Sequence, residues 1–297
     1  MIGGLTLAFV SAASWAGLDV VRKQLSASIK PLPLLILLNV ALLPIFVIWW
    51  MIAGGEITDV HAYAIPGAAA LVLQIAANVL FLAAVRASPL SLTIPFLALT
   101  PVVATLVGYA ILGEQPGLLQ LLGIAAVVVG ALLLASFPGS CPDHPGPRLL
   151  RLFASERGAW MMSGVALCWG VSMVLDKQAL RYAALPNHAL VQLSGLVFTS
   201  FVYLLIRGRV RELGIDRKQL GPLALATVAG ALAFGLQLAA VQVVLVSQLE
   251  AIKRAVGLTS AIVLGRLVFN EPFTLVKIAA VVVMVAGVAM LMLGTNP

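Results

Sequence analysis

The sequence predicts an all-α integral membrane protein: ten transmembrane helices in two inverted five-helix repeats. Three observations carry this prediction. The 297 residues are 62% hydrophobic and only 10% charged, against roughly 25% charged in a soluble domain. The apolar stretches are long and continuous rather than short and alternating, which selects helices over a transmembrane barrel. The second half of the chain also repeats landmarks of the first, in the same order.

A helix needs about 20 apolar residues to cross the hydrocarbon core. On that rule, spans fall near 2–22, 32–53, 63–86, 89–112, 117–137, 158–176, 187–206, 220–245, 249–269 and 273–294. Pro31, Gly54-Gly55, Ser88-Pro89, Gln115-Pro116, Pro186, Gly221-Pro222 and Glu271-Pro272 punctuate the gaps. The first run lacks a preceding basic segment and is followed by further spans, so it reads as a mature helix rather than a cleaved signal. The longest connection is Pro-rich, polar and central. It divides the chain into a first repeat (1–137), a central loop (138–157) and a second repeat (158–297).

The repeat is visible residue by residue. Trp15 through Lys23-Gln24 aligns with Trp169 through Lys177-Gln178. Leu82-Ala83-Ala84-Val85 aligns with Leu238-Ala239-Ala240-Val241. Gly108 through Glu114 and Pro116 aligns with Gly265 through Glu271 and Pro272, and Gly130 with Gly287. Five spans is an odd number, so the second half must enter the membrane upside down. Inverted repeats mark alternating-access transporters, whose sites lie near mid-membrane at the repeat interface.

Composition excludes several functions. The net charge of +7 is not a nucleic-acid signal, because the basic residues lie mostly in short loops. Connections after the odd-numbered spans hold Lys23, Lys30, Arg86, Arg148, Arg151, Arg157, Arg207, Arg209, Arg211, Arg217 and Lys218; the other side has little beyond Lys177 and Arg181. The positive-inside rule then places the odd connections in the cytoplasm and both termini outside. Cys141 lies in a loop and Cys168 in an apolar run, which suggests neither a disulfide framework nor a metal site. His61, His144 and His188 sit near or in loops without metal-ligand spacing. No nucleotide-hydrolysis signature, His-Glu-x-x-His, glycine-flanked aspartate pair or nucleophile elbow occurs, which argues against ATP driving and against an intramembrane enzyme. No cofactor is expected. A structural or accessory subunit is a third class, opposed by the repeat and by charges inside the spans.

The most telling charges are Lys253-Arg254, about one turn inside the apolar run 249–269. Each cation there costs roughly 2.5–3.5 kcal/mol on insertion scales, and such residues usually mark a substrate or ion pathway. They could clamp a phosphate or carboxylate, snorkel to head groups, or be neutralised by Glu250, four residues before Arg254. Asp19 could couple protons or receive a cation, or simply pair with Arg22 or Lys23. Glu250 could play the same counter-charge role. Lys177 and its repeat-equivalent Lys23 could line the cavity. Gln74, Asn78, Gln237 and Gln242 place amides in spans three and eight, for substrate or for helix–helix hydrogen bonds. Trp15 and Trp169 recur in the repeat and could cap the cavity; Trp49, Trp50 and Trp160 read as interfacial belt residues. Glu114 and Glu271 read as braces of their turns. Gly108, Gly123, Gly130, Gly265 and Gly287 read as sites of close helix packing.

The series Ser88-Pro89, Pro101, Gly108, Leu112-Gly113-Glu114, Gln120, Gly123 and Gly130 resembles the EamA-type repeat of the drug/metabolite transporter superfamily. The second copy keeps Gly265, Asn270-Glu271-Pro272 and Gly287 but has Leu258 in place of the proline. The resemblance covers nearly the whole chain. It implies ten spans, a central cavity and small-molecule transport. Lys253-Arg254 further resembles the basic pair of plastid sugar-phosphate translocators, where such cations bind the substrate phosphate. Their span-four lysine is replaced here by Leu97, so the anion site departs from that pattern.

The expected function is secondary transport of a small organic anion or a phosphate- or carboxylate-bearing metabolite by alternating access. Substrate contacts are expected from Lys253, Arg254, Gln74, Asn78, Gln237, Trp15, Trp169 and Lys177, and counter-charge from Asp19 and Glu250. The alternatives are a proton-coupled exporter of amino acids or lipophilic cations, or a flippase for a phosphate-headed lipid. The expected setting is a bacterial inner membrane. The expected partners are the bilayer and one small molecule, for a monomer or homodimer.

Overall fold

A computed structural model describes residues 2–88, 93–136, 157–269 and 275–294. Pro89, Cys141, His144, Arg148, Arg151, Asn270, Glu271 and Pro272 lie outside the described residues. Among the described residues there are ten α-helices. The first five are α1 (Ile2–Leu25), α2 (Pro31–Ala53), α3 (Val60–Ala87), α4 (Thr100–Leu112) and α5 (Leu118–Ser136). The second five are α6 (Arg157–Ala179), α7 (Leu185–Ile206), α8 (Arg217–Val243), α9 (Val246–Phe269) and α10 (Leu275–Leu293).

Local chemistry sets the ends. Pro31 opens α2, where its missing N–H is no loss. Asp59 caps α3 by accepting from the Ala62 N–H at 2.9 Å. Asp216 and Gln219 form a capping box on α8. Gly113 closes α4 with φ +69°, a left-handed turn that glycine adopts without strain.

Seven helices (α1, α2, α3, α6, α7, α8 and α10) are long and apolar enough to cross a membrane. Their outer faces stay apolar: Ile52 on α2, Ile65 on α3 and Ile206 on α7 are each about four-fifths exposed, which suits lipid rather than water. The sequence led to one span over 89–112. Instead, a 3₁₀ segment, Ile94–Leu99, precedes the 13-residue α4. Pro95 and Pro101 explain the break, because each removes an N–H donor and restricts the residue before it. Helix α9 carries Glu250, Lys253 and Arg254 in its first half, which keeps it out of the apolar set.

Packing pairs the two halves. Helix α1 lies along α8 and α3 along α6; α4 packs on α6 and α1 on α9; α2 meets α7, and α5 meets α10. The α5–α10 crossing is so close that a Cβ on either Gly123 or Gly287 would lie 2.7 Å from the other's carbonyl oxygen. Gly108 serves differently from the expectation of helix packing: a Cβ there would meet the Glu114 carboxylate at 3.1 Å. Trp49 also departs from the belt reading. Its ring packs 5.6 Å from Phe46 and belongs to a cluster with Leu193 and Leu238, because α7 and α8 cover that face of α2.

Two loop pairs mark opposite ends. The α1–α2 and α7–α8 connections are joined by Lys30–Glu212 at 2.8 Å, and Gln219 in the first turn of α8 donates to Ser28 at 3.0 Å. The α2–α3 and α6–α7 connections are joined by a short antiparallel bridge between Ile57 and Ala183.

Candidate functional site

The site is built on one polar patch of α9. Glu250 is fully buried. It accepts from Lys253 Nζ at 2.7 Å and from Arg254 Nη2 at 3.5 Å, as i+3 and i+4 neighbours on a helix must be placed to do. The two cations then diverge toward the two halves. Lys253 Nζ lies 5.8 Å from the Trp15 ring centre, and Arg254 Cζ lies 5.7 Å from that of Trp169. Both distances fit cation–π attraction. The cation side chains are 15% and 18% exposed, so they are largely out of water.

Helices α1, α6 and α8 complete the walls. Trp15 Nε1 donates to Gln237 Oε1 at 2.9 Å, and Gln237 Nε2 donates to Met173 Sδ at 3.2 Å. Phe81 of α3 stacks 6.0 Å from Trp169. Trp15, Asp19 and Arg22 share one face of α1 at spacing i, i+4, i+7. Arg22 reaches Asp19 at 3.4 Å and lies 5.5 Å over Trp15. Asp19 is 66% exposed, yet within electrostatic reach of Lys253 and Arg254. Asp19 thus gives the patch an exposed edge on α1. Its charges are Arg22, Lys253 and Arg254 against Asp19 and Glu250, with Asp176 of α6 also in electrostatic reach of Lys253. The buried Nε of Arg254 has no protein acceptor.

Trp15, Trp169, Gln237, Asp19, Glu250, Lys253 and Arg254 are thus brought together. Lys177 is not with them. It donates to Glu114 Oε1 at 2.6 Å and to the Val244 carbonyl at 2.6 Å. The break between α8 and α9 explains this. Val244 offers an unused carbonyl there, and the Val246 N–H donates to Glu114 Oε2 at 3.0 Å. The Asn78 amide is turned along its own helix, donating to the Gln74 backbone carbonyl at 2.7 Å within α3.

One buried group was not foreseen by sequence reasoning. His188 lies in the first turn of α7, next to the α6–α7 connection, and is fully buried. Its Nε2 lies 3.1 Å from Asp176 Oδ1, and its Nδ1 lies 3.1 Å from the Tyr63 hydroxyl. Its position two residues after Pro186, itself near a helix start, was the available signal. No cluster with the makings of a metal site occurs among the described residues.

The profile of the EamA-like transporter family matches residues 2–136 and again residues 156–293. The chain belongs to the EamA-like transporter family. It is a multi-pass integral membrane protein of a transporter family. No protein of curated function matches it. One solved structure, described only as "Crystal structure of protein", is similar over 99% of this chain and 97% of its own, with a TM-score of 0.78 and 14% identity. At that identity the likeness shows the fold alone.

Proposed function

We propose that this EamA-family chain is a secondary transporter that moves a small organic anion, bearing phosphate or carboxylate, by alternating access. The single observation that carries the anion reading is Arg254. Its side chain is 18% exposed, its guanidinium carbon lies 5.7 Å from the Trp169 ring centre, and its buried Nε has no protein acceptor. A carboxylate, or the oxygens of a tetrahedral phosphate, is the natural acceptor for such a donor.

Ten spans in two inverted five-helix repeats account for the packing. Exchanging the halves turns the α1–α8 pair into α6–α3 and the α4–α6 pair into α9–α1, while α2–α7 and α5–α10 map onto themselves. The paired loops fit the same scheme, with the connections after α1 and α7 on one face and those after α2 and α6 on the other. The basic loops would make the first face cytoplasmic. The exposed Asp19 side would then be the open side, with the Glu114–Lys177 contact sealing the opposite one. A bacterial inner membrane is the setting this reading implies.

A second reading keeps one observation of its own. Asp19 is the most exposed charge in the patch and could receive an ammonium, which would suit a zwitterion or an exported amine. Both readings are tested by thermal shift of the purified protein against phosphorylated, carboxylated and cationic metabolites. A ligand that binds only the folded state raises its melting temperature. The anion reading expects stabilisation by an anion, reduced in Arg254→Lys and lost in the Lys253→Ala/Arg254→Ala double variant. Stabilisation only by amines, dependent on Asp19 and indifferent to the double variant, would replace it with the second reading.

A further inference from the structure

We propose that Tyr63, His188 and Asp176 form a proton-binding site linked to the α9 patch, such that taking up one proton tightens anion binding at Lys253 and Arg254. The proposal rests on the anion reading above and adds what would energise it.

The geometry comes first. The three side chains come from α3, α7 and α6, and all are buried: Tyr63 is 5% exposed, His188 0% and Asp176 2%. Both ring nitrogens of His188 are engaged, one at 3.1 Å from a carboxylate oxygen and the other at 3.1 Å from a hydroxyl. With a neutral ring the chain of donors is complete. The Tyr63 O–H donates to Nδ1, and Nε2–H donates to Asp176. With one more proton, Nδ1–H donates back to the Tyr63 oxygen, and the His188–Asp176 pair goes from one negative charge to none. The His188 ring therefore keeps a partner at both nitrogens in either state, while the Tyr63 hydroxyl proton turns away from the ring once Nδ1 is protonated.

The link to the patch runs along one face of α6. Trp169, Met173 and Asp176 are spaced i, i+4, i+7 on that face. Trp169 stacks on Arg254, Met173 receives Gln237, and Asp176 holds His188. Asp176 is within electrostatic reach of Lys253. Neutralising it removes a negative charge beside the clamp, and an incoming anion then meets less repulsion. By linkage, a bound anion favours proton uptake to the same degree.

The surrounding groups leave this pair as the variable one. Helix α2 brings no titratable side chain to α7, and α8 has only Arg217 and Lys218, both in its first turn at the other end. Helix α3 adds His61 beyond Tyr63, in its exposed first turn. On α6, Lys177 is turned to Glu114, and Arg181 lies past the helix end. Glu56 and Asp59 belong to the loop that covers this end of the bundle. Glu250 already holds Lys253 and Arg254.

The test is equilibrium binding of sulfate to the purified full-length protein at pH 6 and pH 8. Sulfate keeps the same charge throughout, so any pH dependence belongs to the protein. The expected result is binding roughly five- to tenfold tighter at pH 6, within the usual range of coupling between sites. His188→Gln is expected to bind sulfate with that dependence abolished. Asp176→Asn, which keeps a hydrogen-bonding side chain but removes the charge, is expected to bind at pH 8 as tightly as wild type does at pH 6. If His188→Gln fails to fold, Asp176→Asn decides alone. Equal wild-type binding at both pH values, or a dependence that survives both substitutions, overturns the proposal while leaving the anion reading intact. Absence of sulfate binding at either pH removes the anion reading and this proposal with it.

Discussion

Lys177 reaches across the two halves to Glu114, with Nζ 2.6 Å from Oε1, and the same ammonium holds the Val244 carbonyl. One residue thus ties the end of α6 to the end of α4 and to the break between α8 and α9. Glu114 is 9% exposed and also accepts from the Val246 N–H. Three elements converge on one ion pair, so the pair can act as a latch on that face.

The latch predicts a change in accessibility. Removing it with Lys177→Met or Glu114→Gln should populate a state open on that face. Loss of about 1.4 kcal/mol of closing free energy shifts such an equilibrium about tenfold. The measurement is the labelling rate of Leu245→Cys by a membrane-impermeant maleimide, in a background where Cys141 and Cys168 are replaced by serine. An unchanged rate in both latch variants would show that this contact does not hold the face closed.

The charges on α9 predict a specific non-additivity. Glu250 is fully buried and is neutralised by Lys253 and Arg254 together. Lys253→Gln leaves Glu250 with only the longer contact to Arg254, and breaking a buried pair from one side costs about 3 kcal/mol. Removing Glu250 as well should relieve part of that cost. We expect a coupling of about 2 kcal/mol between Glu250→Gln and Lys253→Gln, read from denaturant unfolding in detergent. Additive effects of the two substitutions would contradict the geometry.

How much of this was legible in the sequence follows from the range of each contact. The helices were legible, because apolar runs and Pro/Gly breaks are local signals. So was the Glu250–Arg254 pairing, at spacing i, i+4, with Lys253 one residue closer. The break in the fourth span was also written locally, in Pro95 and Pro101, although span counting by hydropathy passes over it. Contacts between helices were a different matter. Trp15 meets Gln237 across 222 residues, Lys177 meets Glu114 across 63, and Tyr63 meets His188 across 125. Residue type alone placed Lys177 in the cavity and His188 near a loop. The ends of α4 and α8 turn Lys177 to Glu114 and Val244, and the packing of α3, α6 and α7 buries His188.

Close approach of α5 and α10 predicts which glycines matter. A Cβ at Gly123 or Gly287 would sit 2.7 Å from backbone oxygen, and backbone cannot swing aside as a side chain can. Gly123→Ala and Gly287→Ala should each destabilise by about 1–3 kcal/mol, the usual cost of overpacking. Gly17 on α1 has nothing within 4 Å of its would-be Cβ. There, alanine should raise stability by up to ~1 kcal/mol through helix propensity. Thermal unfolding of the three variants side by side reads both signs at once, and equal effects at all three positions would show that the crossing is looser than these distances require.

The loop cluster outside the spans predicts a pH dependence of known sign. Glu212 accepts from Arg209 at 2.9 Å through two nitrogens and from Lys30 at 2.8 Å. The hydrogen bonds from Arg209, then Lys30, hold its carboxyl at about 2, below the ordinary 4.5. A carboxylate whose folded value is depressed favours folding fully above its ordinary value. That contribution is lost as pH falls toward the folded value, because the unfolded chain takes up the proton first. The group is half-buried at the surface and open to solvent ions, so the effect is small and weakened by salt. The difference in melting temperature between wild type and Glu212→Gln should hold steady above the carboxylate range and shrink as pH is lowered from about 6 to about 3. Taking the difference cancels the titration of every other acid in the chain. A gap that widens on acidification would mean that the Lys30–Glu212–Arg209 contact does not tie the α1–α2 and α7–α8 connections together in solution.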